Sequence, residues 1–187
     1  AAHIIDDSGG IIREDILVDK ILNVLQGNDS KIDVNAIRLA LFLHDDVDCI
    51  GNTIDFYPYI RKKNITDYSL KHTAGKAVNQ LRKAKDTKPI HRLERDLDKI
   101  IKDFNLSGLS FKSLMDIDKR VKVLDEEKVG LFEWRHIHPR TLRDKISFIL
   151  KTEKSPMHFV EIAEKISSKN FDNKKVNIQA VHNELIR

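Results

Sequence analysis

Apolar residues recur along this 187-residue chain with a helical period in some stretches and an extended period in others. Near the start two helices are predicted, with apolar positions at Leu17, Ile21, Val24 and Leu25 in the first and at Ile37, Ala40 and Leu41 in the second. Asp33 precedes the second helix and has a side chain suited to an N-cap. From Val47 onwards the period becomes extended, which predicts strands.

Gly51-Asn52 divides the extended stretch and has the chemistry of a two-residue hairpin turn. It separates Val47 to Ile50 from Thr53 to Tyr59. A second pair of β-prone runs, Arg120 to Leu124 and Val129 to Phe132, flanks another polar connection. We therefore predict two antiparallel hairpins, each preceded by helices, at about 47–59 and 120–132.

Several helices are predicted before the second hairpin, and the first of them is long and has a basic side. Its apolar positions are Leu70, Ala74, Ala77 and Leu81. Its exposed side has Lys71, Lys76, Arg82, Lys83 and Lys85. Lys88-Pro89 then interrupts the pattern, and the next apolar positions are Leu93, Leu97, Ile100, Ile101 and Phe104, followed by Phe111, Leu114 and Met115.

The residues from Pro139 onwards predict three short helices around one core. Pro139 is suited to the start of a helix. The apolar positions are Leu142, Ile146, Ile149 and Leu150 in the first helix and, after Ser155-Pro156, Phe159, Ile162, Ala163 and Ile166 in the second. A polar turn from Asn170 to Lys175 leads to the third helix, with Ile178, Val181 and Leu185 inward and Gln179, Asn183 and Arg187 outward. This arrangement is typical of a helix-turn-helix domain.

Helices followed by a hairpin occur twice, which indicates an internal repeat of about sixty residues. The predicted fold is mainly α with short β-hairpins, an α+β fold built from tandem winged-helix modules. We place an acidic module at 1–63, a basic module at 64–138 and a helix-turn-helix module, truncated before its wing, at 139–187. The alternative is a single α+β domain in which hairpins recur by chance.

The net charge of +4 conceals an uneven distribution. Residues 1–60 contain 4 basic and 11 acidic side chains, a net charge of −7. Residues 61–139 contain 19 and 12, and residues 140–187 contain 10 and 6, which gives +7 and +4. Binding to a polyanion requires Lys and Arg to displace counterions from phosphates. The later two thirds suit that role, whereas the first third suits contact with protein or a spacer role.

Motifs for catalysis or cofactor binding are not found. The glycines form neither GxGxxG nor GxxxxGK[ST], and there is no HExxH. The single cysteine, Cys49, excludes an internal disulfide and, within an apolar run, is predicted to be buried and inert. No apolar run approaches the roughly 20 residues of a membrane span. We therefore expect a cytoplasmic, non-enzymatic protein with no catalytic residues, no metal, no cofactor, no small-molecule substrate and no membrane partner.

The last third also resembles a known family. RTLRDKISFILKTEKSPMHFVEIAEKI (residues 140–166) and VNIQAVHNELIR (176–187) are similar to the HARE-type winged helix-turn-helix domain. Within that family the resemblance is greater to the C-terminal part of bacterial sigma-factor-like proteins, where a run similar to GLFEW (130–134) precedes the domain, than to the RNA polymerase delta subunit. The family's domain continues into a two-stranded wing, whereas this sequence stops at Arg187, so we expect a fragment or a lost tail.

Two groups of residues are the predicted DNA contacts. In the last helix Gln179 and Asn183 are suited to adenine and Arg187 to guanine in the major groove. Lys174, Lys175 and Asn177, at the entry to that helix, are suited to phosphates. The basic side of the long helix adds Lys71, Lys76, Arg82 and Lys83. The alternative for the polar residues of the last helix is that they only solvate an exposed surface.

The resemblance implies a protein that works with bacterial RNA polymerase or promoter DNA. We therefore expect a DNA-binding transcription factor, sigma-factor-like, whose partners are duplex DNA and RNA polymerase. One alternative is a protein-interaction scaffold that binds RNA polymerase without reading DNA, because fold alone does not determine function. Another is an accessory domain of a restriction-modification enzyme.

Overall fold

In the computed structural model of the chain, the residues described are 2–25, 33–106, 108–124, 127–169, 171–172 and 174–187. They form two compact units, Ala1–Leu131 and Phe132–Arg187. The fold is α+β, as predicted from the sequence, with helices and two small antiparallel sheets among the described residues. Both of these sheets belong to the first unit.

The first unit contains one order of elements twice. Its first half consists of α1 (Ala2–Asp7), β1 (Ile11–Arg13), α2 (Glu14–Leu25), α3 (Val34–Phe42), β2 (Val47–Ile50) and β3 (Tyr59–Lys62). Its second half consists of α4 (Asp67–Ala84), β4 (Lys88–Pro89), α5 (Ile90–Asp96), α6 (Asp98–Asp103), α7 (Phe111–Ile117), β5 (Val121–Val123) and β6 (Lys128–Leu131). In each half, a helix and a short strand are followed by further helices and then by two strands.

The two sheets have the same topology. The strand order is β1-β3-β2 in the first and β4-β6-β5 in the second, so the last strand of each half is central. The second predicted hairpin is confirmed, because β5 pairs antiparallel with β6. The first is confirmed in its first strand and its antiparallel pairing, since β2 pairs with β3, but β3 is Tyr59–Lys62 and not the predicted Thr53 to Tyr59. The strands β1 and β4 were not predicted from the sequence. They complete the sheets by pairing with β3 and β6.

The predicted two-residue turn at Gly51-Asn52 is wrong. Ile50 pairs with Tyr59, so residues 51–58 form the connection between the strands. The reason is a tertiary contact, since Phe56 is completely buried and forms an isolated bridge with Asp118. Burial of this ring is favourable by about 2 kcal/mol, which outweighs the local turn preference.

The halves of the first unit share contacts, and α7 packs against β1. Gly9 (φ +72°) lies so close to the second half that an added Cβ would be 2.1 Å from the backbone nitrogen of Ser110. Only glycine permits this approach. The boundary predicted between residues 63 and 64 therefore falls within one compact unit, whereas the division observed after Leu131 lies near the boundary predicted at 138/139.

The helices α2 and α3 pack against the core of the first half through apolar residues on one side of each helix, as the helical period predicts. Asp33 is the N-cap of α3 and accepts a 2.9 Å hydrogen bond from the backbone N–H of Asn35, which confirms that prediction. Two residues predicted to face inward do not. Val24 is 72% exposed and Ala40 is exposed, since each lies on the side of its helix away from the core.

The second unit consists of three helices, α8 (Leu142–Glu153), α9 (Phe159–Lys169) and α10 (Ile178–Leu185), as predicted. Its core contains Ile146, Ile149, Ile162, Ala163, Ile166 and Val181. The helix α8 begins after Thr141, which forms a capping box with Asp144, rather than at Pro139. Ile178 and Leu185 were predicted to face inward but are each 43% exposed, because they occupy the two ends of the eight-residue helix α10.

Candidate nucleic-acid interface

The helix α4 has one buried side and one basic side. Thr66 caps its start and accepts a hydrogen bond from the backbone N–H of Ser69. The four positions predicted to be apolar and inward are not measurably exposed: Leu70, Ala74, Ala77 and Leu81. The opposite side is therefore fixed toward solvent.

The predicted basic residues of α4 come together on that exposed side, which we call the α4 basic face: Lys71, Lys76, Arg82 and Lys83. Among the described residues no ion pair involves Lys71, Lys76 or Lys83. Their charges are thus not compensated by carboxylates of the described chain. Such a face attracts anions, and phosphate groups in particular.

Gly75 lies between Lys71 and Lys76 on α4, where an added Cβ would meet no other atom within 4 Å. A glycine within a helix costs about 1 kcal/mol relative to alanine. Here neither a positive φ nor close internal packing requires it. The lack of a side chain leaves the helix backbone open to close approach by a ligand.

An aromatic cluster borders the α4 basic face. Tyr68 is 70% exposed, and its ring centroid lies 5.7 Å from that of Phe104. The His72 ring lies 5.0 Å from Phe104, and its buried Nδ1 has no hydrogen-bond partner among the described residues. This cluster was not predicted from the sequence, although the i, i+4 spacing of Tyr68 and His72 beside basic residues is a detectable signal.

In the second unit the polar residues predicted on the last helix are exposed on α10 or directly after it: Gln179, Asn183 and Arg187. The side-chain Nε2 of Gln179 donates a 3.1 Å hydrogen bond to Oδ1 of Asn183. Arg143 and Glu184 form a 2.8 Å ion pair that joins α8 to α10. The outward side of α10 therefore presents two coupled amides at a fixed position on the unit.

Asn177 has a structural role that was not predicted from the sequence. It is the N-cap of α10, and its Oδ1 accepts a 2.8 Å hydrogen bond from the backbone N–H of Gln179. Lys174 and Lys175 precede it and are exposed. Of the polar turn predicted from Asn170 to Lys175, Asn170 and Asn173 lie outside the described residues.

An ion pair holds this connecting segment to α8. Lys145 is only 5% exposed, and its Nζ lies 2.8 Å from Oδ2 of Asp172. The hydrogen bond from Lys145, followed by the charges of Lys145 and Lys174, lowers the pKa of Asp172. Asp172 therefore stays ionised at neutral pH, and the segment that leads to Lys174 and Lys175 is fixed at one point.

The predicted contacts thus form two groups, one on α4 of the first unit and one on and before α10 of the second. Nothing in the described ranges places three or more His, Cys, Asp or Glu side chains so that they would hold a metal ion. Across those same ranges, every helix is too short or too polar to cross a bilayer. Comparison of the chain with known protein families, curated proteins and solved structures gives no match.

Proposed function

We propose that this chain is a non-enzymatic protein of transcription that binds duplex DNA through winged-helix modules. The observation that carries the proposal is the α4 basic face, which has three lysines without ion pairs in the described chain, two of them beside the open backbone of Gly75. Counterion release from DNA makes such uncompensated lysines favourable at phosphates. The open position at Gly75 would let a phosphate backbone approach the helix.

The element order supports the winged-helix part of the proposal. In each half of the first unit a strand between helices pairs with the last strand, and the final two strands form a hairpin. A winged helix has this order, with the hairpin as its wing. In this interpretation α3 and α7, the last helix before each hairpin, correspond to the third helix of a winged helix, and β2–β3 and β5–β6 are the wings.

The second unit supports the proposal in a different way. Its three helices end in α10, whose exposed amides at Gln179 and Asn183 are of the type that pairs with adenine in the major groove. Phosphate contacts from Lys174 and Lys175 would set the register of that helix without selecting a sequence. Together with the resemblance of residues 140–187 to HARE-type domains, this favours promoter DNA and bacterial RNA polymerase as partners in the cytoplasm.

A second candidate function is a scaffold that binds another protein. Large apolar side chains exposed on α3, within the acidic first sixty residues, favour it specifically. The two functions are compatible, because the α3 and α4 surfaces differ in charge and in chemistry.

A binding experiment with a matched control tests the proposal. The full chain is titrated into a fluorescently labelled duplex, and the anisotropy is compared with that for Lys71→Ala/Lys76→Ala and for Lys20→Ala/Lys63→Ala. Lys20 and Lys63 are also exposed but lie outside α4. Each variant loses two positive charges, so the two differ only in where the charge is removed. We expect the first variant to bind about tenfold more weakly and the second to be nearly unchanged. Equal losses would mean that net charge alone attracts DNA.

A further inference from the structure

Three large apolar side chains are exposed next to one another at the end of α3. Leu39 is 59% exposed, Phe42 73% and Leu43 68%, and we call them the α3 apolar patch. The opposite side of α3 has Ile37 and Leu41 in the core. Contiguous exposed apolar surface is uncommon on folded domains and usually marks a site of interaction.

A groove continues the patch toward the sheet. It has a volume of about 360 Å³, and its apolar lining includes Leu41 and Phe42 of α3, Cys49 of β2 and Ile60 of β3. Cys49 was predicted to be buried but is exposed, because the groove opens at this edge of β2. The groove is suited to inserted apolar side chains rather than to a flat surface.

The surroundings of the patch are acidic. Asp33 lies at the start of α3, Asp45 and Asp46 follow its end, and all three are exposed. Glu14 and Arg38 both line the groove and form an ion pair with each other, so this pair adds no net charge there. These residues belong to the first sixty, whose net charge is −7. A cationic partner is therefore attracted to this side of the protein, and an anionic one is repelled.

We propose that the α3 apolar patch and its groove bind an amphipathic helix of a partner protein, with Lys or Arg flanking its apolar side chains. Duplex DNA does not fit, because its phosphates would face Asp45 and Asp46. A second copy of this chain does not fit either. In a symmetric dimer each copy would contribute the same patch to the interface. The acidic residues around the two patches would then face each other.

The test uses the full chain and two synthetic helical peptides. Both have Leu at three- and four-residue spacing, with Lys at the flanking positions in one and Glu in the other. We expect the Lys peptide to bind at least about tenfold more tightly than the Glu peptide. Phe42→Ala should weaken binding of the Lys peptide by about tenfold or more. Ile54→Ala, which removes a 96% exposed side chain outside the patch, should change it less than about twofold.

Cys49 gives a second readout, because it is the only cysteine of the chain and lies in the groove. Bound Lys peptide should slow its alkylation by iodoacetamide, in proportion to the occupancy measured by anisotropy. Equal affinity for the two peptides, unchanged alkylation of Cys49, or insensitivity to Phe42→Ala would each overturn the proposal. So would a dimer in sedimentation equilibrium that Phe42→Ala dissociates. Affinity for duplex DNA should be the same in wild type and Phe42→Ala, which keeps this proposal separate from the DNA-binding function.

Discussion

The side-chain amides of Gln179 and Asn183 are hydrogen-bonded to each other one turn apart on the exposed side of α10, with Nε2 of Gln179 donating to Oδ1 of Asn183 over 3.1 Å. This bond uses neither Oε1 of Gln179 nor Nδ2 of Asn183. One acceptor and one donor are the complement of the N6 and N7 edge of adenine. The pair therefore presents the acceptor and the donor that one adenine edge requires.

Replacement of Asn183 by alanine should relax the sequence preference of the full chain at one base position. The expected loss of discrimination is about 1–3 kcal/mol, because one bidentate contact is removed. Selection from a randomised duplex library measures it. Lys175→Ala is the control, since loss of a phosphate contact should weaken binding evenly across sequences. An unchanged set of selected sequences for Asn183→Ala would show that α10 does not contact bases.

Asn177 should contribute to the stability of the second unit whether or not it contacts DNA. Asn177→Ala removes the N-cap of α10 and should destabilise the second unit by about 1 kcal/mol. Asn177→Asp preserves the cap, so its thermal denaturation should match that of wild type. If Asn177→Asp also binds duplex DNA as tightly as wild type, the residue is only a cap. If it binds several-fold more weakly, the side chain also faces phosphate, because a carboxylate there would repel DNA.

Gly75 should show opposite effects on stability and on binding. Gly75→Gln replaces glycine by a good helix former at a half-buried position with no atom of another element near its Cβ, so the free energy of unfolding should rise by about 0.5–1 kcal/mol. The new side chain would cover the open backbone between Lys71 and Lys76, and affinity for duplex DNA should fall. Ala84→Gln, which adds the same side chain at the exposed last position of α4, is the control. Unchanged affinity for Gly75→Gln would mean that no ligand approaches this position.

The stability of the second unit should depend on pH through Asp172. Lys145 lowers the pKa of Asp172 in the folded chain below its ordinary value of 3.8, so the folded state binds the proton more weakly than the unfolded state. The stabilisation by the ion pair of Lys145 and Asp172 is therefore fully present above about pH 4. It is lost as the pH falls through the lower pKa that Asp172 has in the folded chain. Thermal denaturation between pH 2 and pH 7 measures it. Asp172→Asn should be less stable at pH 7 and should lose less stability on acidification, whereas Glu164→Gln on the exposed side of α9 should behave as wild type.

The hairpins and most helices could be predicted because their periods are local. The strands β1 and β4 could not, since they have only 3 and 2 residues and depend on partners distant in the sequence. The same limit explains the error at Gly51-Asn52. Local turn chemistry favours a tight hairpin, but the bridge between Phe56 and Asp118 joins residues far apart in the chain.

Of the candidate sites, the α4 basic face could be predicted from the sequence, whereas the aromatic cluster and the α3 apolar patch could not. Charge and helical spacing were sufficient for the α4 basic face. The spacing of Tyr68 and His72 on one helix is visible in the sequence, but their contacts with Phe104 form only after the chain folds back, so no local pattern shows those contacts. The α3 apolar patch is hidden in the sequence for another reason. Leu39 and Phe42 are apolar, like the residues of the core, and only the fold shows which side of α3 is buried.

The most direct test of DNA binding by the α4 basic face is the salt dependence of duplex affinity. Each phosphate neutralised contributes about 0.9 to the slope of log affinity against log salt. For Lys71→Ala/Lys76→Ala we predict a slope smaller than that of wild type by about 1.8, and for Lys20→Ala/Lys63→Ala an unchanged slope. A wild-type affinity independent of salt, or equal slopes for wild type and Lys71→Ala/Lys76→Ala, would contradict the proposal that α4 holds DNA.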